Sequence, residues 1–192
     1  MKHRGSWREA PKAGVVRKSA TVAALVLACA GLQAASAPTS AGIRLALVPA
    51  RGRVAVGDTL ALELRVAGKG AGFNGYAAVV AFDTTALAFL PASPLTRQEG
   101  AAMTGPCGNT FHRFHAAGDS LVVDHVVLCA GVSLHDPGTL YQLSFLALSP
   151  GTTSVHVRRT QFYDAGRSLG PATTLDASVR VEARSPASRP VR

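Results

Sequence analysis

From residue 43 onward apolar side chains recur at every second position, in short runs punctuated by Gly, Pro, Asp and Ser. Period two is the mark of a strand with one buried face. The clearest run is 59–66, where Leu60, Leu62, Leu64 and Val66 alternate with Thr59, Ala61, Glu63 and Arg65. The same reading predicts strands at 43–49, 53–56, 76–82, 86–90, 120–128, 138–148, 153–158 and 177–182. Residues 91–119 break the pattern with Pro, Gly, Thr and Arg around Phe111 and Phe114, and are expected to be a long irregular connection. Loops of that length are usually functional or tied down. No amphipathic helix of useful length is found. Strands at short intervals without helices between them predict an all-β, antiparallel jelly-roll sandwich of about nine strands.

The ends of the chain differ from this body. Residues 1–18 carry six basic groups against Glu9, and an uncharged apolar run, 20–28, leads into small residues through Ala37. That order is expected of a secretory signal peptide spanning 1–37. Cleavage after Ala37 satisfies the small-x-small rule but leaves Pro38 first; Ser36 and Ala30 are alternative cleavage positions. In a second reading, Leu25-Val-Leu-Ala-Cys29 resembles a lipobox, with Cys29 the lipidated first residue. Residues 38–184 would then form the domain and 185–192 a disordered basic tail.

Charge placement narrows the partners. The formal net charge of +9 suggests nucleic acid until it is located. Arg184, Arg189 and Arg192 add to the basic leader, and residues 19–183 are left with eleven basic and ten acidic side chains. A nucleic-acid-binding domain carries its basic patch on the folded part, so none is expected here. No run in the body is long enough for a membrane-spanning helix; a membrane would be reached only through a lipid on Cys29.

Outside the leader two cysteines remain, Cys107 and Cys129. An even pair in an exported protein is expected to form a disulfide, worth about 3 kcal/mol by the chain-entropy argument. Their spacing is not that of a zinc site. A second polar group is His112-Arg-Phe-His115, with Asp119, Asp124, His125, His135 and Asp136 downstream. A His-x-x-His pair with carboxylates is metal-ligand chemistry. Placed in a predicted loop, these histidines are read as solvated, so no metal and no cofactor is expected. No Gly-x-Ser-x-Gly or His-Glu-x-x-His occurs, and the chain is not expected to be an enzyme.

Three segments in order, Val56-Gly-Asp-Thr-Leu-Ala-Leu-Glu-Leu64, Val80-Ala-Phe-Asp-Thr-Thr-Ala-Leu87, and Gly138-Thr-Leu-Tyr-Gln-Leu-Ser-Phe145 with Phe162-Tyr-Asp-Ala-Gly166, resemble the strand motifs of bacterial cohesin domains across about residues 43–183. The resemblance implies a nine-stranded jelly roll that binds the dockerin module of a partner protein, in a system serving polysaccharide breakdown. In that family the partner face lies on the strand leading into the Tyr-Asp-Pro-like motif. Here Gly75 and Ala77 stand where polar contacts are expected, and Thr84 stands in place of the proline.

The expected partner-binding residues are Asn74, Tyr76 and Ala78 on that strand, with Phe111 and Phe114 from the long connection. The alternatives are a carbohydrate-binding module of the same fold and a structural envelope domain. Exposed Phe111 and Phe114 would favour a protein partner. Coplanar exposed rings among Tyr76, Tyr141 and Tyr163 would favour a polysaccharide, since the sole Trp, Trp7, lies in the leader.

Overall fold

Residues 59–66 form a strand whose alternate side chains Leu60, Leu62, Leu64 and Val66 are buried, as their period requires. The computed structural model describes residues 42–184. The expected leader, Cys29 and the tail from 185 lie outside the described residues.

Twelve strands run through that span: β1 (Arg44–Pro49), β2 (Arg53–Ala55), β3 (Thr59–Val66), β4 (Gly75–Phe82), β5 (Leu87–Phe89), β6 (Thr110–Ala117), β7 (Ser120–Val127), β8 (Gly138–Ala147), β9 (Gly151–Asp164), β10 (Arg167–Gly170), β11 (Thr173–Leu175) and β12 (Ala177–Glu182). They form two sheets, ordered β11-β1-β3-β8-β5 and β2-β12-β9-β4-β7-β6, with β10 paired to β9. Pairing is antiparallel except for β1 with β11 and β12 with β2. The inner faces meet in a core of aliphatic side chains with Phe73, Phe145 and Phe162. Among the described residues no helix is long and apolar enough to cross a membrane.

Nine of the strands are those the pattern predicts; β6, β10 and β11 are additional. β6 corrects the reading of 91–119 as one loop. Only 90–109 is irregular, and it contains a short 3-10 turn (Leu95–Gln98) and a single helical turn, α1 (Ala101–Thr104). This segment lies along the first sheet where β5 ends. Glu99 bridges Tyr141 of β8, and the Gly100 amide donates to the Leu140 carbonyl at 3.0 Å. Met103, fully buried, anchors α1. The far end of the segment is tied by a disulfide between Cys107 and Cys129, as the cysteine count predicts.

β9 also runs past its expected end at Arg158. Arg158 and Arg159 are consecutive and both exposed, and the register against β4 shifts between Val79 and Val80. A bulge of this kind absorbs the extra residue and restores the alternation beyond it, so β9 reaches Asp164. The hairpin into β10 turns at Ala165 and Gly166, both with positive φ, the conformation that two-residue hairpins need.

Candidate functional site

The four strands β9, β4, β7 and β6 present a continuous outer face whose composition follows from their register. One row across it reads Tyr163, Gly75, Val126, Phe111; the next Gln161, Ala77, Asp124, Arg113; the next Arg159, Val79, Val122, His115. On the central strand β4 the residues of this face that line the trough, Gly75 and Ala77, are small. They make a low floor between two aromatic walls. Phe111, 60% exposed, stands on edge strand β6, and Tyr163, 37% exposed, stands on β9. Three strand spacings separate them, about 14 Å. The trough between them has a volume of about 480 Å³ and holds Arg113 and Asp124. These two pair across the strands, the Arg113 Nε donating to the Asp124 carboxylate at 2.9 Å.

The expected contact residues do not share this face. Tyr76 and Ala78 are 2% and 1% exposed, because alternation on β4 sends them inward and leaves Gly75, Ala77 and Val79 outside. Tyr76 packs on Phe162, ring centroids 5.9 Å apart. Both residues are therefore corrected from partner contacts to core. Phe114 is corrected likewise. It lies on the inner side of β6, stacked on Tyr141 at 5.8 Å and against Phe89 at 5.2 Å. Asn74 flanks the trough, but its side chain also has a local task, accepting the Ala165 amide at 3.2 Å in the β9–β10 turn. Phe111 alone of the five is a strongly exposed apolar side chain. Tyr163 was anticipated only as one of three tyrosines that could stack on a sugar, not as a protein contact, although its alternation with buried Phe162 in one motif signals its exposure. With Tyr76 and Tyr141 buried, no row of coplanar exposed tyrosines exists among the described residues.

Behind the face, on the inner side of β6 and β7, lies a buried polar cluster. His112 and His115 are three residues apart on β6, so they point to opposite faces. His115 is exposed and His112 is turned inward. His112 is thus corrected from a solvated loop residue to an interior one. It meets His125 of β7, its cross-strand neighbour, and Glu99 from the segment on the first sheet. The His112 Nδ1 lies 3.1 Å from one Glu99 carboxylate oxygen, and the His125 Nε2 lies 3.0 Å from the other. The Thr110 hydroxyl donates to the second oxygen as well. Side-chain exposures are 6% for Glu99, 11% for His112 and 0% for His125. Burial holds the His125 imidazole below its ordinary pKa, against the pull of the Glu99 carboxylate. Burial pushes the Tyr76 and Tyr141 hydroxyls above theirs, and Glu99 adds to both shifts. Two imidazole nitrogens and a carboxylate form a donor set able to hold a divalent metal. Glu99 was not foreseen, because no motif or period connects it to either histidine.

A comparison with protein-family models finds no match, and neither does one with curated protein sequences. Solved structures do match. A type II cohesin domain from the cellulosome of Acetivibrio cellulolyticus superposes with a TM-score of 0.61 over 71% of this chain and 94% of that one, at 13% identity. This domain has the cohesin fold. A type II cohesin in a cohesin–X-dockerin complex from the same organism gives 0.62 over 73% of this chain and 100% of the other, at 14% identity. A non-cellulosomal cohesin from the archaeon Archaeoglobus fulgidus gives 0.56 over 72% and 91%, at 11% identity. In the cohesin-like domain the motif strands fall in place as β3, β4, β8 and the end of β9. Asp83, which closes β4, accepts the Thr85 amide at 2.8 Å and the Thr85 hydroxyl at 2.7 Å. These bonds lower its pKa, the hydroxyl contributing most. A turn held by the Asp83–Thr85 pair therefore forms with Thr84 where the family places proline.

Proposed function

We propose that this is an exported, non-catalytic binding module that recognises another extracellular protein through the outer face of β9, β4, β7 and β6. The observation that carries the proposal is the trough on that face: a floor of Gly75 and Ala77 between Phe111 and Tyr163, with the Arg113–Asp124 pair inside it. Small residues allow a partner's backbone or a helix to lie close to the sheet. Two separated aromatic rings supply the apolar anchors that protein contacts concentrate on, and the charged pair offers hydrogen bonds. The cohesin fold favours a dockerin-like module as the partner, within a polysaccharide-degrading assembly. The Cys107–Cys129 disulfide supports an oxidising, extracellular or envelope location. Direct recognition of polysaccharide is the weaker reading, since Tyr163 is the one tyrosine on the face and rings in a glycan site usually lie in a shared plane.

The test immobilises the purified protein and presents secreted and envelope fractions of its own source, with and without a calcium chelator. Bound proteins are identified by mass spectrometry. Chelator-sensitive capture of a protein bearing paired calcium-loop repeats is expected, with loss of capture in Phe111→Ala/Tyr163→Ala. Retention on insoluble polysaccharide with no protein captured would overturn the reading and favour glycan binding.

A further inference from the structure

We propose that Glu99, His112 and His125 form a binding site for one divalent transition-metal ion of zinc's class, a structural staple between the two sheets. The ligand atoms converge from three separate parts of the chain, and no two lie farther apart than 4.8 Å. A tetrahedral ion with bonds near 2.0 Å keeps its ligand atoms about 3.3 Å apart. The His112 Nδ1 stands 3.1 Å from one Glu99 oxygen and the His125 Nε2 3.0 Å from the other, so both imidazoles already face the carboxylate.

Three observations argue for a cation here. First, the Glu99 carboxylate is buried and, among the described residues, no Lys or Arg pairs with it. A buried carboxylate with no cationic side chain beside it is costly in the interior, and a bound cation would offset that cost. Second, the Tyr76 and Tyr141 hydroxyls and the His125 Nδ1 are buried without a hydrogen-bond partner. Both tyrosine rings neighbour His125, Tyr76 at 5.9 Å and Tyr141 at 6.2 Å between centroids. Uncommitted polar atoms so grouped can orient the ligands of an ion or a molecule coordinated to it. Third, two imidazoles and a carboxylate are the borderline donors that zinc and its neighbours select, and three protein ligands leave one position open.

The ion would act where an irregular segment meets the edge of the sandwich. Glu99 belongs to a segment with little regular structure, tied at one end by the disulfide, and the histidines belong to the other sheet. Coordination would join the two sheets at that edge. β6 also carries Phe111 and Arg113 on its opposite side, so the same bond would steady one wall of the trough.

The experiment strips the purified full-length protein with a strong chelator, dialyses it, and titrates zinc by calorimetry with metal content read by mass spectrometry. One zinc per chain is expected, with a dissociation constant below about 1 µM. His112→Gln and His125→Gln should each weaken it at least about tenfold, while His115→Gln, on the outer face, should leave it unchanged. Cobalt should give a visible absorption band in the wild type that both inner-histidine variants lose. Should those variants fail to fold, wild-type imidazole ¹⁵N spectra decide the matter. Zinc should then move the His112 and His125 resonances and leave those of His115, His135 and His156 in place. Folded wild-type protein with no binding tighter than about 100 µM, binding that His115→Gln reduces as much as His112→Gln does, or shifts confined to the other histidines would each overturn the proposal.

Discussion

Replacing Gly100 with alanine tests whether the segment carrying Glu99 sits on β8 as the structure has it. A Cβ at Gly100 would lie 2.0 Å from the Thr139 carbonyl oxygen and 2.4 Å from its carbon. The obstacle is backbone, held on its other side by β3, so the segment and not the strand must give way, by more than an ångström. Relieving the clash costs about 1–3 kcal/mol as overpacking. Lengthening the Gly100 amide bond to Leu140 removes about 1 kcal/mol more. The upper bound is full release of Met103, which for a buried methionine is worth about 2–5 kcal/mol. A loss of about 2–4 kcal/mol is therefore expected, read as a drop of about 1–2 M in the urea midpoint. Gly52→Ala is the reference, because its new Cβ would meet nothing within 4 Å; it should stay within about 0.5 kcal/mol of wild type. A Gly100→Ala protein that unfolds within 0.5 kcal/mol of wild type would refute the close approach, and with it the placement of Glu99 beside the histidines.

The disulfide spans 22 residues, and Cys107→Ser/Cys129→Ser should lose about 3 kcal/mol; urea unfolding of the reduced wild type should agree with the variant, and a loss under about 1 kcal/mol would count against the entropic account. At the trough, Phe111→Ala/Tyr163→Ala should weaken binding of the captured partner at least about tenfold with little change in melting temperature, whereas Tyr76→Phe, altered in the core, should bind normally; calorimetry with the recovered partner separates the two. Asp83 has its folded pKa lowered by Thr85, so its stabilising contribution is complete above the unfolded carboxylate value near 3.9 and is lost as pH falls through the lower folded value. The wild type should lose melting temperature in that acid window more steeply than Asp83→Asn, and parallel curves would remove the Asp83–Thr85 turn from the account.

The trough illustrates why contact residues are hard to place by motif alone. β4 reads Gly-Tyr-Ala-Ala-Val-Val-Ala-Phe, with small or apolar residues at every position, so alternation does not reveal which set faces in. A shift of one residue exchanges the faces completely. The large rings settled the phase: Tyr76 and Phe82 fill the core against Phe162 and Phe145, and Gly75, Ala77 and Val79 were left to the outer face.

Local sequence determined the strands whose faces differ clearly in polarity. Residues 59–66 and 177–182 could bury only one set of side chains, and the turns at Gly57-Asp58 and Asp83 follow from residue types that favour them. Cys107 and Cys129, the two cysteines among the strands, were enough to predict their pairing. What the tertiary structure decided lies where the period-two rule fails. β6 was illegible because it turns polar His112 inward and apolar Phe111 outward, and its two phenylalanines, three residues apart, occupy opposite faces. β9 was cut short in the reading because the bulge at Arg158 and Arg159 interrupts an alternation that resumes beyond it. Glu99 stands 13 residues from His112 and 26 from His125, and no local pattern connects them. Only the packing of the two sheets brings that carboxylate to the imidazoles, because each of the three side chains was placed by the hydrogen-bonding register of its own strand or segment.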